Sequence, residues 1–96
     1  MITHIVMFKL KDTSKANVEK TRDVLLSMKG KVDLLRYLEV GMDVLHSERS
    51  YDILLMTRFD CIDDLNAYQV HPYHVDVVKK HMHAVRETSV SVDYES

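Results

Sequence analysis

Histidine is frequent in this chain, and four of its six histidines fall between positions 71 and 83. The most distinctive stretch reads Tyr68-Gln69-Val70-His71-Pro72-Tyr73-His74. Imidazole titrates near neutral pH, so a histidine in a pocket can both accept and donate a proton. His74 is therefore a candidate general acid/base, and Tyr68 is a candidate hydrogen-bond donor to a substrate carbonyl or enolate.

Each of these side chains also has a simple structural interpretation. His74 can satisfy backbone groups at the start of a helix, and Tyr68 can be a core aromatic residue with its hydroxyl at the rim. His4, near the start of the chain, can be a core histidine whose hydrogen bonds are satisfied. His71, just before Pro72, is most simply a loop or capping residue. The residue types alone therefore leave catalytic and structural roles open.

A metal site is the main alternative use for the clustered histidines, because imidazole is the commonest metal ligand. His71 and His74 form one pair, and His81 and His83 form another. On a helix, however, His81 and His83 would project roughly 200° apart and could not converge. We therefore expect no metal and no other cofactor. Cys61 has no nearby base to generate a thiolate, and the two isolated glycines form no phosphate-binding loop.

The elements that position these residues follow from alternation, helical spacing and polar breaks. Strands are predicted over Met1–Leu10, Leu34–Val44, Tyr51–Phe59 and Val85–Tyr94. A first helix is predicted from about Ala16 to Met28, capped by Thr13 or Ser14 and ended by Gly30. A second helical region starts at Asp60–Asp64, and Pro72 opens a new helix that runs to about Met82.

The resulting β-α-β-β-α-β order predicts an α+β fold of the ferredoxin-like type, with four antiparallel strands and two helices on one face. A chain of 96 residues fits a single domain over residues 1–96. In the helix after Pro72, one face collects side chains at helical spacing. That face consists of His74, Val77, Val78 and His81. Because of its two valines, we expect this face to point inward.

Strands one and three carry more apolar side chains than one layer of helices can cover. Each strand alternates two apolar sets, whereas a sheet exposed on one side usually alternates apolar with polar residues. One set consists of Ile5, Met7, Leu54 and Met56. The opposite set consists of Val6, Phe8, Ile53 and Leu55. Since large exposed apolar patches usually mark interfaces, we expect a two-fold homodimer in which two sheets pack face to face.

Composition excludes several classes of protein. Apolar residues make up 46% of the chain and the formal net charge is −2, which fits a globular domain without the basic excess of a nucleic-acid binder. The opening MITHIVMFKL lacks the features of a secretory leader and is too short to span a bilayer. A single cysteine favours the cytoplasm. We therefore expect a cytoplasmic protein that binds neither nucleic acid nor membranes.

Three segments of the chain resemble the stress-responsive dimeric α/β-barrel family, the Dabb proteins. They are the first strand with its histidine (Ile2–Lys11), the segment Gly41–Val44, and Tyr68 followed by His71-Pro72-Tyr73-His74-Val75. The resemblance covers essentially the whole chain. It implies a ferredoxin-like subunit and a two-fold dimer with a central barrel.

The resemblance also implies candidate site residues. One plant member of the family catalyses a polyketide aldol cyclisation; its acid/base histidine matches His74, its assisting tyrosine Tyr68 and its first-strand histidine His4. That arrangement puts His4 on the helix side of the sheet and leaves the Ile5 and Met7 set for the partner subunit. The plant enzyme has glycine and phenylalanine where this chain has residues 76–78, so its substrate is not implied.

The resemblance and the residue pattern together predict a small-molecule pocket between helices and sheet. The ligand-binding residues expected there are Val6, Phe8, Leu55, Val77, Val78 and His81. One hypothesis is acid/base catalysis of a cyclase-like or lyase-like reaction by His74 with Tyr68 and His4. The alternative is a non-catalytic, stress-associated homo-oligomer in which these side chains only pack. Room for a ligand beside His74 distinguishes the two.

Overall fold

The computed structural model describes residues 1–96 and has the element order expected from the sequence. The strands are β1 (Ile2–Leu10), β2 (Tyr37–Met42), β3 (Ile53–Phe59) and β4 (Arg86–Glu95). The helices are α1 (Lys15–Leu26), α2 (Ile62–Gln69), a π-helix (His74–Lys79) and, directly following it, α3 (Lys80–Val85). None of the helices is long and apolar enough to cross a membrane.

The four strands form one antiparallel sheet in the order β2-β3-β1-β4. This order confirms the ferredoxin-like fold, with the first and last strands adjacent. β1 is paired along both edges, so the neighbours of its side chains are determined by register. His4 lies opposite Thr57 on β3 and opposite Asp93 on β4.

Local signals place the first helix, although it is shorter than expected. The Ser14 hydroxyl accepts a hydrogen bond from the backbone N–H of Asn17 at 3.3 Å, which confirms one of the two candidate caps. The helix ends at Leu26, and Gly30 lies beyond it in a turn with a φ of +80°. The left-handed conformation expected for Gly30 is therefore present, but the helix ends before that residue is reached.

Helices and sheet enclose the core on one side of the sheet. Even-numbered side chains of β1 and odd-numbered side chains of β3 face the helices and are mostly buried. The core consists of Ile2, Phe8, Leu10, Leu25, Met28, Val32, Ile53, Leu55, Phe59, Leu65, Tyr68, Val78 and Met82. This assignment agrees with the expected orientation of His4 and Phe8 toward the helices, and both are buried.

The opposite face of the sheet is apolar and uncovered within the subunit. Met7 is 37% exposed, and its cross-strand neighbour Val90 is 41% exposed. Ile5 lies opposite Val92, and Thr3 lies opposite Tyr94. The apolar stripe of β4, formed by Val90, Val92 and Tyr94, thus extends the open apolar face of β1. The polar stripe of β4, formed by Ser89, Ser91 and Asp93, turns toward the helices.

The inward face of the helix after Pro72 differs from the expected one. His74, Val78 and Met82 are buried, whereas Val77 is exposed and His81 is only half-buried. The reason is the π-helix, whose hydrogen bonds reach five residues along the chain rather than four. A π-helical turn therefore contains more residues than an α-helical turn. Val77, three residues after His74, has not yet returned to the side of the helix that His74 faces, and it points outward.

We expect the packing of α1 on the sheet to be a major source of stability. Leu25 is fully buried in the core, so Leu25→Ala should lower the free energy of unfolding by about 2–5 kcal/mol. Its neighbour Leu26 is exposed, and Leu26→Ala should cost less than about 1 kcal/mol. Urea denaturation of both variants at one protein concentration checks this. Equal losses would contradict the placement of α1.

Candidate functional site

A cavity of about 290 Å³ opens between the last helical region and the sheet. Its apolar wall is formed by Val6, Phe8, Leu55, Val78 and Met82. Its polar lining is formed by His4, Tyr68, Gln69, His74, Lys79, His83, Arg86, Ser89 and Ser91. An apolar cavity with a few converging polar groups is the usual form of a small-molecule site.

His74 lies at the start of the π-helix and is only 7% exposed. Its Nδ1 is 3.4 Å from the carbonyl oxygen of Gln69. Since a carbonyl can only accept, Nδ1 carries the proton and Nε2 carries the lone pair. Nε2 has no hydrogen-bond partner in the protein, yet it is not sealed from solvent. The arrangement presents a basic nitrogen in the lining of the cavity.

The environment of His74 favours the neutral imidazole. Burial, followed by the nearby positive charge of Lys79, lowers the pKa of His74 to about 4, although the hydrogen bond to Gln69 acts in the opposite direction. Desolvation penalises the charged form because a buried imidazolium loses the water that stabilises it. At neutral pH His74 is therefore a proton acceptor.

Tyr68 packs against the His74 ring, and the two ring planes are inclined by 43°. The two ring centroids are 4.2 Å apart, and Tyr68 in turn contacts Phe59 at 4.9 Å. Tyr68 is completely buried, and its hydroxyl donates to Met28 Sδ at 3.6 Å. Burial raises the pKa of the Tyr68 hydroxyl well above its usual value, so this group is neutral. The ring borders the cavity while the hydroxyl is directed at the core.

His4 is oriented by a carboxylate on the neighbouring strand. Its Nδ1 is hydrogen-bonded to Asp93 Oδ1, and its ring lies edge-on to Tyr68 with 6.3 Å between centroids. A carboxylate on one imidazole nitrogen fixes the tautomer and leaves the other nitrogen free for chemistry. His4 and His74 thus flank Tyr68 within one cavity.

The structure brings most of the residues singled out from the sequence into one place. His4, Tyr68 and His74 line the cavity together with the expected Val6, Phe8, Leu55 and Val78. Val77 and His81 do not line it. Val77 points outward from the π-helix, and His81 Nε2 lies 3.1 Å from Thr21 Oγ1 on α1. His81 therefore links two helices rather than contacting a ligand.

Several residues of the site were not predicted from the sequence to contact a ligand, and one of them, His83, was considered only as a metal ligand. They are Gln69, Lys79, Met82, His83, Arg86, Ser89, Ser91 and the orienting Asp93. A signal for the serines and Asp93 was present in the polar stripe of β4. In the ferredoxin-like order β4 pairs with β1, and the partner of His4 on that strand is Asp93. No comparable pattern marks Lys79 or Arg86.

The remaining histidines do not form a metal centre in this fold. His71 Nδ1 accepts a hydrogen bond from the backbone N–H of Tyr73 at 3.1 Å, which confirms its interpretation as a capping residue. No three side chains of His, Cys, Asp or Glu lie close enough together to hold a metal ion.

The pKa of His74 predicts how stability depends on pH. An unfolded histidine titrates near pH 6.5, whereas folded His74 stays neutral down to about pH 4. Between these values the unfolded chain binds a proton that the folded protein does not. The free energy of unfolding should therefore fall as pH falls, by roughly 1 kcal/mol per pH unit at most from this group. Well above pH 6.5, where the unfolded histidine is also neutral, stability should not depend on it.

Chemical denaturation of the wild type and of His74→Gln at pH 7.5 and 5.5 checks this expectation. The variant removes the titrating group, so its stability should fall less between the two pH values. Imidazole NMR signals should also show His74 neutral at pH 5.5. A titration of His74 above pH 6 would contradict the burial argument.

Comparison with known proteins agrees with this architecture. Residues 2–96 match Dabb, the stress responsive A/B barrel domain. A stress-response A/B barrel domain-containing protein of Arabidopsis thaliana is 30% identical over 97 residues, which cover 98% of this chain and 36% of the relative. The chain spans less than half the length of the curated relatives it matches.

Two solved bacterial structures extend the comparison. A dimeric protein of unknown function and ferredoxin-like fold from Bacteroides fragilis is 30% identical, with a TM-score of 0.84 and coverage of 99% of this chain and 95% of that one. A dimeric ferredoxin-like protein from Thermobifida fusca is 25% identical, with a TM-score of 0.84 and coverage of 99% and 90%. With its domain match over residues 2–96 and its β-α-β-β-α-β architecture, the chain belongs to the Dabb family of stress-responsive α/β-barrel domains.

Proposed function

We propose that this protein binds a small molecule in the cavity beside His74 and uses His74 as a general base. The observation that carries the proposal is a buried, neutral imidazole whose Nε2 has no protein partner, in the lining of a cavity with an apolar wall and a polar side. Because no protein group occupies this nitrogen, it is available to a ligand in the cavity, and room for a ligand favours catalysis over simple packing.

The proposed chemistry is proton abstraction from a carbon acid, as in cyclase-like and lyase-like reactions. His74 Nε2 takes a proton from carbon beside a carbonyl, and the electron pair of that C–H bond moves toward the carbonyl oxygen. His4 is the second proton-transfer group, because its Nδ1 is held by Asp93 and its other ring nitrogen is left for the ligand. Tyr68 acts as a positioning residue through the packing of its ring against His74.

A general probe of carbon-acid chemistry tests this proposal without knowledge of the natural substrate. In nitrobenzisoxazole, a base removes the C–H proton, the C–H electron pair forms a nitrile, and the N–O bond breaks to give a coloured phenolate. We expect wild-type protein to accelerate this elimination and His74→Gln to lose about a hundredfold of the rate. The wild-type rate should fall toward pH 4 as His74 becomes protonated.

Two further variants separate the roles of the neighbouring groups. Tyr68→Phe keeps the ring that packs against His74 and removes only the hydroxyl that faces Met28, so the rate should change by less than about threefold. His46→Asn removes an exposed histidine in the β2–β3 loop and should have no effect. A wild-type rate no higher than that of His74→Gln would contradict the proposal and favour the non-catalytic alternative.

We also propose that the protein is a homodimer formed through the open face of the sheet. The solved relatives from Bacteroides and Thermobifida are described as dimeric. The apolar side chains on this face are Ile5, Met7, Leu54, Met56, Val90, Val92 and Tyr94. Burying each large apolar side chain contributes about 1.5–3 kcal/mol, so two such faces outweigh an association cost of about 4–15 kcal/mol.

The double substitution Met7→Asp with Met56→Asp tests the dimer, because these residues lie diagonally across β1 and β3 on the open face. Each carboxylate would be buried without a partner, so the variant should be monomeric or aggregated by analytical ultracentrifugation. Ile62→Asp with Val70→Asp adds the same charges on the exposed helical side and should stay dimeric. A wild-type monomer at micromolar concentration would refute the proposal.

A further inference from the structure

We infer that the ligand of this cavity is an organic anion, with an apolar body against the wall of the cavity and a carboxylate held at the mouth by Lys79 and Arg86. The inference rests on the proposed function, because it names the class of molecule that occupies the same cavity. It depends on the placement of charges around the site.

Both cations line the cavity, and neither forms a salt bridge with a carboxylate of the chain. Arg86 Nη1 donates to Ser89 Oγ at 3.1 Å, and Ser89 also lines the cavity. This bond anchors the guanidinium on β4 and leaves its other N–H groups free. Guanidinium and ammonium groups form their strongest hydrogen bonds with ionised acceptors.

The lining contains no aspartate or glutamate, although acidic residues outnumber Lys and Arg in the chain. Two other arginines do find carboxylates: Arg22 pairs with Asp23 and Arg36 with Asp60, each at 3.0 Å. On the cavity side of β4, Asp93 is engaged by His4 Nδ1. Asp93 is therefore the carboxylate beside the site, and neither it nor any other carboxylate pairs with Lys79 or Arg86.

The positive charge of Lys79 also acts on His74, because it contributes to lowering the pKa of that imidazole. An anion at the mouth supplies the missing counterion, while Val78 and Met82 accommodate an apolar body beside His74. A neutral ligand of the same shape gains the apolar contacts and weaker hydrogen bonds but leaves the two positive charges without a counterion. The cavity should therefore discriminate by charge.

The matched probes phenylpropionate and phenylpropionamide test this inference, since they differ in charge but hardly in shape. Titrations followed by two-dimensional nitrogen–proton NMR give the Kd and the location of binding together. We expect the carboxylate to bind at least about tenfold more tightly than the amide, with shifts at Val6 and Val78. Added salt should weaken binding of the carboxylate alone.

The variant Lys79→Gln with Arg86→Gln should abolish the preference for the carboxylate. Lys80→Gln is the matched control, because Lys80 is exposed beside Lys79 but does not line the cavity. The Lys80→Gln variant should prefer the carboxylate over the amide as strongly as the wild type does. The NMR spectra verify that each variant is folded. Loss of the preference in Lys80→Gln to the same extent would overturn the inference.

The remaining outcomes separate this inference from the proposed function. Equal affinities for acid and amide, with shifts at cavity residues, would overturn the anion inference and leave the small-molecule cavity intact. Binding of neither probe at cavity residues would refute both the inference and the proposed use of the cavity. Retention of the preference in the double variant would refute the role of Lys79 and Arg86.

Discussion

The antiparallel register between β1 and β4 determines what each face of this sheet can do. It places Asp93 opposite His4 and Ser91 opposite Val6 on the helix side. The same register places Val92 opposite Ile5 and Val90 opposite Met7 on the open side. A slip of one residue would move every β4 side chain to the other face. The candidate site would then lose the carboxylate that orients its first-strand histidine, and the open face would lose the apolar side chains of Val90, Val92 and Tyr94.

The candidate site also requires that the polar imidazole ring of His74 be held in a largely apolar setting. Burial of His74 is unfavourable for its charged form, and the protein offsets the loss of water with one hydrogen bond to Gln69 and packing against the Tyr68 ring. The π-helix contributes by bringing His74, Val78 and Met82 to the same side. Irregular helical turns of this kind are frequent at functional sites, because they redirect side chains that a regular helix would place elsewhere.

Family membership and site chemistry carry different information here. The match over residues 2–96 and the fold of the bacterial relatives establish the architecture. One fold supports many functions, so the activity depends on the side chains that line the cavity. In this chain those side chains are a neutral imidazole, an Asp93-held imidazole and two unpaired cations beside an apolar wall. A single two-layer subunit therefore provides two distinct surfaces, a charged cavity under the helices and an apolar open sheet.

The sequence by itself determined the order of elements, because alternation in β1 and β3, the Ser14 cap and Pro72 are local signals. It also determined that the sheet has two apolar faces, since the period of a strand requires no knowledge of its neighbours. Only the tertiary structure decided that Val77 and His81 lie away from the cavity. Their expected positions assumed the 3.6-residue turn of an α-helix, and the π-helix has more residues in each turn. The direction of the Tyr68 hydroxyl, the pairing of His4 with Asp93 and the presence of Lys79 and Arg86 in one cavity lining likewise arise from long-range packing. Contacts between residues far apart in the chain leave no periodicity in the sequence from which they could be inferred.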